Sequence, residues 1–201
     1  MIILIGASGT LGNQIAKEIV KRKKNVLLTS NQRFTNISNS FSDNKYILNV
    51  KKCDIQIEKD LIDLFQYIAN EKLEIDAIIN NFAYSFDSKI ENHGPKSIEV
   101  KKIFDVNYHG IAMVLENLLS YLKKHASHHV KVVNILSNSI KTLNASNYHY
   151  ISSKSAIKTL SEFYAKNFSD LISINNVCPG LMKSNLTNQR FEKDEIKIKK
   201  L

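Results

Sequence analysis

The sequence predicts an α/β fold: one domain, a doubly wound parallel sheet of six strands with helices on both faces. Three observations predict it. Short apolar runs alternate with longer segments whose apolar residues recur at helical spacing. The first run opens directly into a glycine turn and then a helix. Marked residues fall where the apolar runs end, at Asn80, Ser137 and Pro179. In open parallel sheets ligands bind at those carboxyl ends.

Met1–Ile5 reads as the first strand. Gly6-Ala7-Ser8-Gly9-Thr10-Leu11-Gly12 follows, then Ile15, Ala16, Ile19 and Val20 at helical spacing. Strand, glycine turn and helix together make a phosphate site. Glycine permits a tight turn and close approach of a ligand, and a helix N-terminus offers free N–H groups to an anion. Asn25–Thr29 reads as strand two, ending in Ser30, Asn31 and Arg33. In dinucleotide folds an acid at this point binds a ribose 2′-hydroxyl, and Arg accommodates a 2′-phosphate. Ser30, Asn31 and Arg33 without an acid favour NADP(H) over NAD(H).

Phe34–Lys45 is Asn/Ser-rich and reads as loop or a poor short helix. Tyr46–Val50 reads as strand three, ending near Cys53 and Asp54. Gln56–Lys72 carries Leu61, Leu64, Phe65 and Ile68 on one helical face. Ile75–Asn80 is strand four, Ser85–Pro95 a loop, and Ser97–His125 one long helix holding Val106 and Asn107. Val130–Leu136 is strand five, Tyr150–Phe168 a helix, and Leu171–Val177 strand six. The tail, residues 186–201, is charged and shows little apolar face.

Composition bounds the function. The chain has 201 residues, 43% hydrophobic and 23% charged, as in an ordinary globular protein. No apolar run approaches the ~20 residues that span a bilayer, and no leader precedes the first strand, so the expected place is the cytoplasm. Two cysteines, Cys53 and Cys178, make no disulfide framework. The net charge of +9 is spread over scattered lysines, which fits solvation better than nucleic-acid binding. His128-His129 lack the Cys or acidic companions of a metal site, so no metal is expected.

The chemistry gathers at Tyr150-Ile151-Ser152-Ser153-Lys154. On a helix, Tyr150 and Lys154 project from one face. A nearby ammonium favours the phenolate and lowers the tyrosine pKa, so the phenol exchanges protons nearer neutrality. Ser137 lies 13 residues before Tyr150. Each residue also has a plain structural reading. Ser137 could be a strand-end hydroxyl, Asn107 a polar group at a kink, and Tyr148 the exposed partner of an aromatic pair.

Taken in order, these residues resemble the short-chain dehydrogenase/reductase family over residues 1–185, with a Rossmann-like domain. Tyr150-x-x-x-Lys154 resembles its active-site motif, Ser137 its catalytic serine and Asn107 its fourth catalytic member. Asn80-Asn81-Phe82-Ala83 resembles its N-N-A-G motif, and Asp54, with Ile55 beside it, its adenine-binding aspartate. Ile174–Gly180, including Pro179 and Gly180 and followed by Ser184, resembles the segment that closes over the nicotinamide.

The resemblance implies hydride transfer between a nicotinamide cofactor and a carbonyl or alcohol. Tyr150 is the general acid/base, Lys154 lowers its pKa, and Asn107 anchors a water. Gly6, Ser8, Gly9, Thr10, Leu11 and Gly12 bind the cofactor, as do Asn81, Phe82, Ala83, Tyr150 and Lys154. It also implies a homodimer or homotetramer and a small-molecule substrate: a keto-sugar nucleotide, a β-ketoacyl thioester or a small ketone.

Three departures stand out. The middle glycine is Gly9, one position earlier than in the ordinary branch of the family. Phe82 and Ala83 add bulk where the family has Ala and Gly. A seventh strand is not expected, leaving the sheet edge open or covered by a partner. The alternative is a catalytically weak nucleotide sensor or scaffold of the same fold.

Overall fold

The computed structural model describes residues 1–31, 34–41, 44–86, 97–125, 128–143 and 147–182. Six strands form one parallel sheet: β1 (Ile2–Ile5), β2 (Val26–Ser30), β3 (Ile47–Lys52), β4 (Ala77–Asn80), β5 (Val130–Ile135) and β6 (Ile172–Val177). Their order is β3-β2-β1-β4-β5-β6. The order reverses between β1 and β4, which opens a crevice at their carboxyl ends. Among the described residues β3 and β6 are the sheet edges.

The strands are short apolar runs because both faces are covered. One face packs Leu4, Val26 and Leu28 against Ala16 and Ile19 of α1 (Thr10–Lys21) and against Ile37 and Phe41 of α2 (Phe34–Phe41). The other packs Ile3, Ile5, Leu27, Ile78 and Val132 against three more helices. These are α3 (Glu58–Asn70), α5 (Gly110–His125) and, through Ile157, α7 (Tyr148–Asn167). Alternate residues of each strand therefore serve alternate layers, as the pleat demands.

One open expectation resolves to a short helix, and two elements differ from the sequence expectation. The Asn/Ser-rich segment does form α2, held by the buried Ile37 and Phe41 rather than by propensity. The long helix is divided into α4 (Ser97–Phe104), a π-helical turn (Asp105–His109) and α5. In that turn Gly110 N–H donates to Asp105 O, one residue further back than in an α-helix. A short α6 (Ser139–Thr142) follows Ser137 and ends at Leu143 in the left-handed region, φ +53°.

Candidate active site

The crevice begins at Gly6, whose φ of +85° turns the chain out of β1. A Cβ there would stand 2.8 Å from the Phe82 backbone nitrogen. Gly12 is closed in the same way. A Cβ on it would strike Gly6 O and lie 2.7 Å from Asn81 Nδ2. Asn81 Nδ2 in turn donates to Gly6 O at 2.9 Å, tying the end of β4 to the turn. Gly9 is different. It is the N-cap of α1, and a Cβ there would meet nothing within 4 Å. It offers α1 no side-chain cap, and no acid stands in the first turn, so the positive end of the helix faces the crevice uncompensated. Ser8, Gly9, Thr10, Asn13 and Ser40 border a cavity of about 280 Å³ at this point.

The end of β2 carries two buried hydroxyls, Thr29 Oγ1 and Ser30 Oγ, that no group among the described residues satisfies. A buried hydroxyl without a partner is costly, so a site that leaves two is shaped for a polar ligand. Asn31 and Asp54 meet: Asn31 Nδ2 donates to Asp54 Oδ2 at 2.6 Å. Asp54 Oδ1 accepts from Gln56 N–H. Arg33 and Ser184 lie outside the described residues.

Phe82 and Ile55 show where the extra bulk goes. A Cβ on Gly110 would lie 2.5 Å from Ile55 Cδ1 and 3.1 Å from Phe82 Cε2. The bare glycine at the head of α5 makes room for the Phe82 ring, which packs on the core. Ile55 is a core side chain, 7% exposed.

The residues expected to carry the chemistry stand beyond β5. Asn147 caps α7: its Oδ1 accepts from His149 N–H at 3.0 Å and Tyr150 N–H at 3.3 Å. Its Nδ2 donates to Phe86 O, so the cap also holds the loop after β4. This places Tyr150 in the first turn. Ser137 Oγ lies 2.7 Å from Ser139 Oγ and accepts from Ser139 N–H at 3.2 Å. Lys154 is 1% exposed, and its Nζ donates to Ile135 O at 2.8 Å. Tyr148 is exposed and stacks on His149, centroids 4.0 Å apart, which is its structural reading.

Burial pushes the Tyr150 phenol above its ordinary value, while the Ser137 hydroxyl beside it pulls it down. Lys154 Nζ sits 5.8 Å from the centroid of the tyrosine ring, and its bond to Ile135 O leaves two further N–H donors. The buried ammonium is itself destabilised, pulled down to about 8, with Cys178 opposing the fall. The Asn107 side chain makes three hydrogen bonds. Its Oδ1 accepts from Tyr84 N–H at 2.7 Å, and its Nδ2 donates to Tyr84 O and to Ser153 Oγ, each at 3.0 Å. Fully buried in the π turn, it clasps the loop after β4 to the catalytic turn of α7. Ser153 Oγ continues the link to Tyr150 O at 2.8 Å.

Tyr84 is no second acid. Its phenol donates to Glu99 at 2.6 Å, which with burial pushes it up to about 12. Sequence reasoning missed Asn147 and Ser153. An Asn immediately before the first helical residue, here Tyr148, is the capping signal that marks the former.

Pro179 O accepts from Asn138 N–H at 2.9 Å, which brings the end of β6 beside the loop carrying Ser137. A Cβ on Gly180 would meet nothing within 4 Å. No helix among the described residues is long and apolar enough to cross a membrane.

The short chain dehydrogenase family model matches residues 1–195. A diacetyl reductase of Staphylococcus epidermidis is 24% identical over 203 residues, covering 98% of this chain and 76% of the relative. A 3-oxoacyl-[acyl-carrier-protein] reductase of Buchnera aphidicola is 28% identical over 192 residues, covering 92% and 75%. The Pseudomonas aeruginosa RhlG/NADP active-site complex superposes with a TM-score of 0.82 at 24% identity, over 95% of this chain and 76% of that one.

Proposed function

We propose that this chain, which belongs to the short-chain dehydrogenase family and is an NAD(P)-dependent oxidoreductase, reduces a carbonyl compound with Tyr150 as its general acid. The observation that carries this reading is the placement of Tyr150. Its N–H capped by Asn147 and its phenol influenced by the Ser137 hydroxyl, it stands at the carboxyl edge of the sheet that also carries the glycine turn.

The crevice suits a dinucleotide. The open side of Gly9 and the uncapped start of α1 suit its phosphates, held by Ser8, Gly9, Thr10 and Leu11. The unsatisfied Thr29 and Ser30 hydroxyls, with Asn31, suit the adenosine ribose. Asp54, Ile55, Asn81, Phe82 and Ala83 border the adenine side. Tyr150 and Lys154 hold the nicotinamide ribose, and Pro179 and Gly180 cover the ring. When bound, the nicotinamide supplies the hydride.

The chain's own residues do the rest. Ser137 and Tyr150 hydroxyls donate to the substrate oxygen, polarising the carbonyl and fixing its orientation. Tyr150, a phenol protonated at neutral pH whose pKa burial raises further, gives its proton to that oxygen. Lys154, anchored on Ile135 O, keeps its charge at the site below pH about 8. Asn107 and Ser153 hold the turn that carries the tyrosine.

The preferred cofactor is NADP(H). Ser30 and Asn31 present no carboxylate at the end of β2, and the nearby Asp54 is engaged by Asn31. The substrate is a small molecule, a ketone or a β-ketoacyl thioester, and the protein works in the cytoplasm as a homodimer or homotetramer. Exposed Ile98 on α4 and Phe163 on α7 support those helices as the pairing surface. Titration with NADPH and NADH, followed by nicotinamide fluorescence and a ketone panel, tests the reading beside Tyr150→Phe. Both proteins bind NADPH more tightly than NADH, and only the parent turns over. Binding of neither cofactor would sink the nucleotide site. Tight binding with no turnover by the parent on any carbonyl would favour the sensor.

A further inference from the structure

The catalytic helix is fastened to the sheet in an unusual way. Four residues of α7 are buried: Ser153, Lys154, Ile157 and Ser161. Only Ile157 is apolar. On α5 the buried face is Ile111, Val114, Leu115, Leu118, Leu119 and Leu122, besides Gly110. Apolar burial is non-directional and lets a helix slide at little cost. Hydrogen bonds weaken steeply off their geometry, so polar contacts fix height and rotation.

The polar contacts at Ser161 form one connected row. Asn80 on β4, Asn134 on β5 and Asn176 on β6 stand in register across three neighbouring strands. Asn80 Nδ2 donates to Asn134 Oδ1 at 2.8 Å, and Asn134 Nδ2 donates to Ser161 Oγ at 2.9 Å. The Ser161 hydroxyl has one proton and two acceptors in reach, Ile157 O at 2.7 Å and Asn176 Oδ1 at 3.0 Å. Asn80, Asn134 and Ser161 are all 2% exposed or less. These bonds are shut away from water and hard to replace, although Asn80 Oδ1 itself has no partner among the described residues.

The spacing connects this row to the chemistry. Ser161 is 11 residues after Tyr150, close to three helical turns, so the two lie on one face. Lys154, between them, bonds Ile135 O, the residue next to Asn134. Two consecutive residues of β5 thus hold α7 at two points along its length.

We propose that Ser161, held by the Asn80–Asn134 row, is a positioning residue that sets the height of α7 on the sheet and thereby the placement of Tyr150 and Lys154. The proposal rests on the roles given to Tyr150 and Lys154 above. None of Asn80, Asn134, Asn176 and Ser161 ionises, so changing Ser161 alters no charge. A displaced Tyr150 changes its distance to Ser137 and Lys154, and that is measurable without a substrate.

The test compares the parent with Ser161→Ala, Ser161→Thr and Ile157→Val. Ser161→Ala lowers kcat about tenfold, because small displacements of a reacting group cost rate steeply. The KM for NADPH stays within about twofold, since the phosphate end is untouched. The ionisation midpoint of Tyr150, read from tyrosinate absorbance against the matching Tyr150→Phe proteins, moves in Ser161→Ala. Ser161→Thr restores both. Ile157→Val, which loses one buried methyl, lowers the melting temperature but leaves kcat and the midpoint unchanged.

A Ser161→Ala protein that melts earlier with the parent's kcat and the parent's midpoint overturns the proposal and leaves a purely structural bond. Turnover retained by Tyr150→Phe overturns the tyrosine's role instead, and the midpoint still decides the question of Ser161. Where Ser161→Ala does not fold, Ser161→Cys, whose thiol bonds weakly, replaces it.

Discussion

The two ends of the crevice are built on opposite plans. At the β1–β2 end, Thr29 and Ser30 hydroxyls are buried without a partner among the described residues, and Gly9 faces open space. At the β5–α7 end almost every polar group is already bonded. Ser137 meets Ser139, Lys154 meets Ile135 O, Asn147 meets Phe86 and Tyr150, and Asn107 meets Tyr84 and Ser153. The first end is completed by what it binds. The second is assembled before anything binds, which is what orienting a reacting group requires.

The contrast yields predictions of decreasing size. Lys154→Met lowers kcat by about 10²–10³, the scale of losing a group that supports proton transfer. The same variant loses a pH dependence of stability. The folded lysine releases its proton near 8 and the unfolded one at 10.5, so the unfolded state holds the extra proton in between. Stability of the parent therefore rises with pH across that window, and the cost of the buried charge is complete below it. Urea unfolding at several pH values shows this slope in the parent and not in Lys154→Met.

Gly12→Ala separates the two kinds of glycine. Its Cβ meets backbone, so unfolding free energy falls by about 1–3 kcal/mol or more. Gly9→Ala has φ −73° and open space, so stability stays within about 0.5 kcal/mol. What it loses is NADPH affinity, about tenfold, since the methyl enters the space a phosphate would occupy. Equal stability losses in the two variants, read by thermal melts, would break the contrast at its simplest point.

Gly110→Ala is smaller, about 1–3 kcal/mol of overpacking against Ile55 and Phe82. Phe82→Ala in the same chain recovers part of it, because the ring is one of the two groups displaced. A double-mutant cycle reads the coupling.

How much of this was legible in the sequence depends on the range of the interaction. Continuous apolar runs such as Val26–Leu28 marked the strands, because parallel strands are buried on both faces. The glycine turn and the four-residue step from Tyr150 to Lys154 were legible because they are local. The π turn was not, since Val106, Ile111 and Val114 keep an apolar rhythm across the extra residue. Helix α2 was hidden because its support is tertiary, the burial of Ile37 and Phe41. The tyrosine–lysine chemistry was read as a charge effect between near neighbours. That the carbonyl of Ile135, 19 residues away, also holds the ammonium was not legible. The asparagine row needs the register of three strands, which no local pattern carries. Its one local trace is Asn134 in the buried phase of Val130 and Val132.

Amide hydrogen exchange with and without NADPH tests the central contrast most directly. The account predicts that NADPH slows exchange in residues 6–12 and 29–31 and leaves the amides of 132–135 and 153–161 as protected as before. Comparable new protection across 153–161 would contradict it, by showing that the catalytic end is also assembled only on binding.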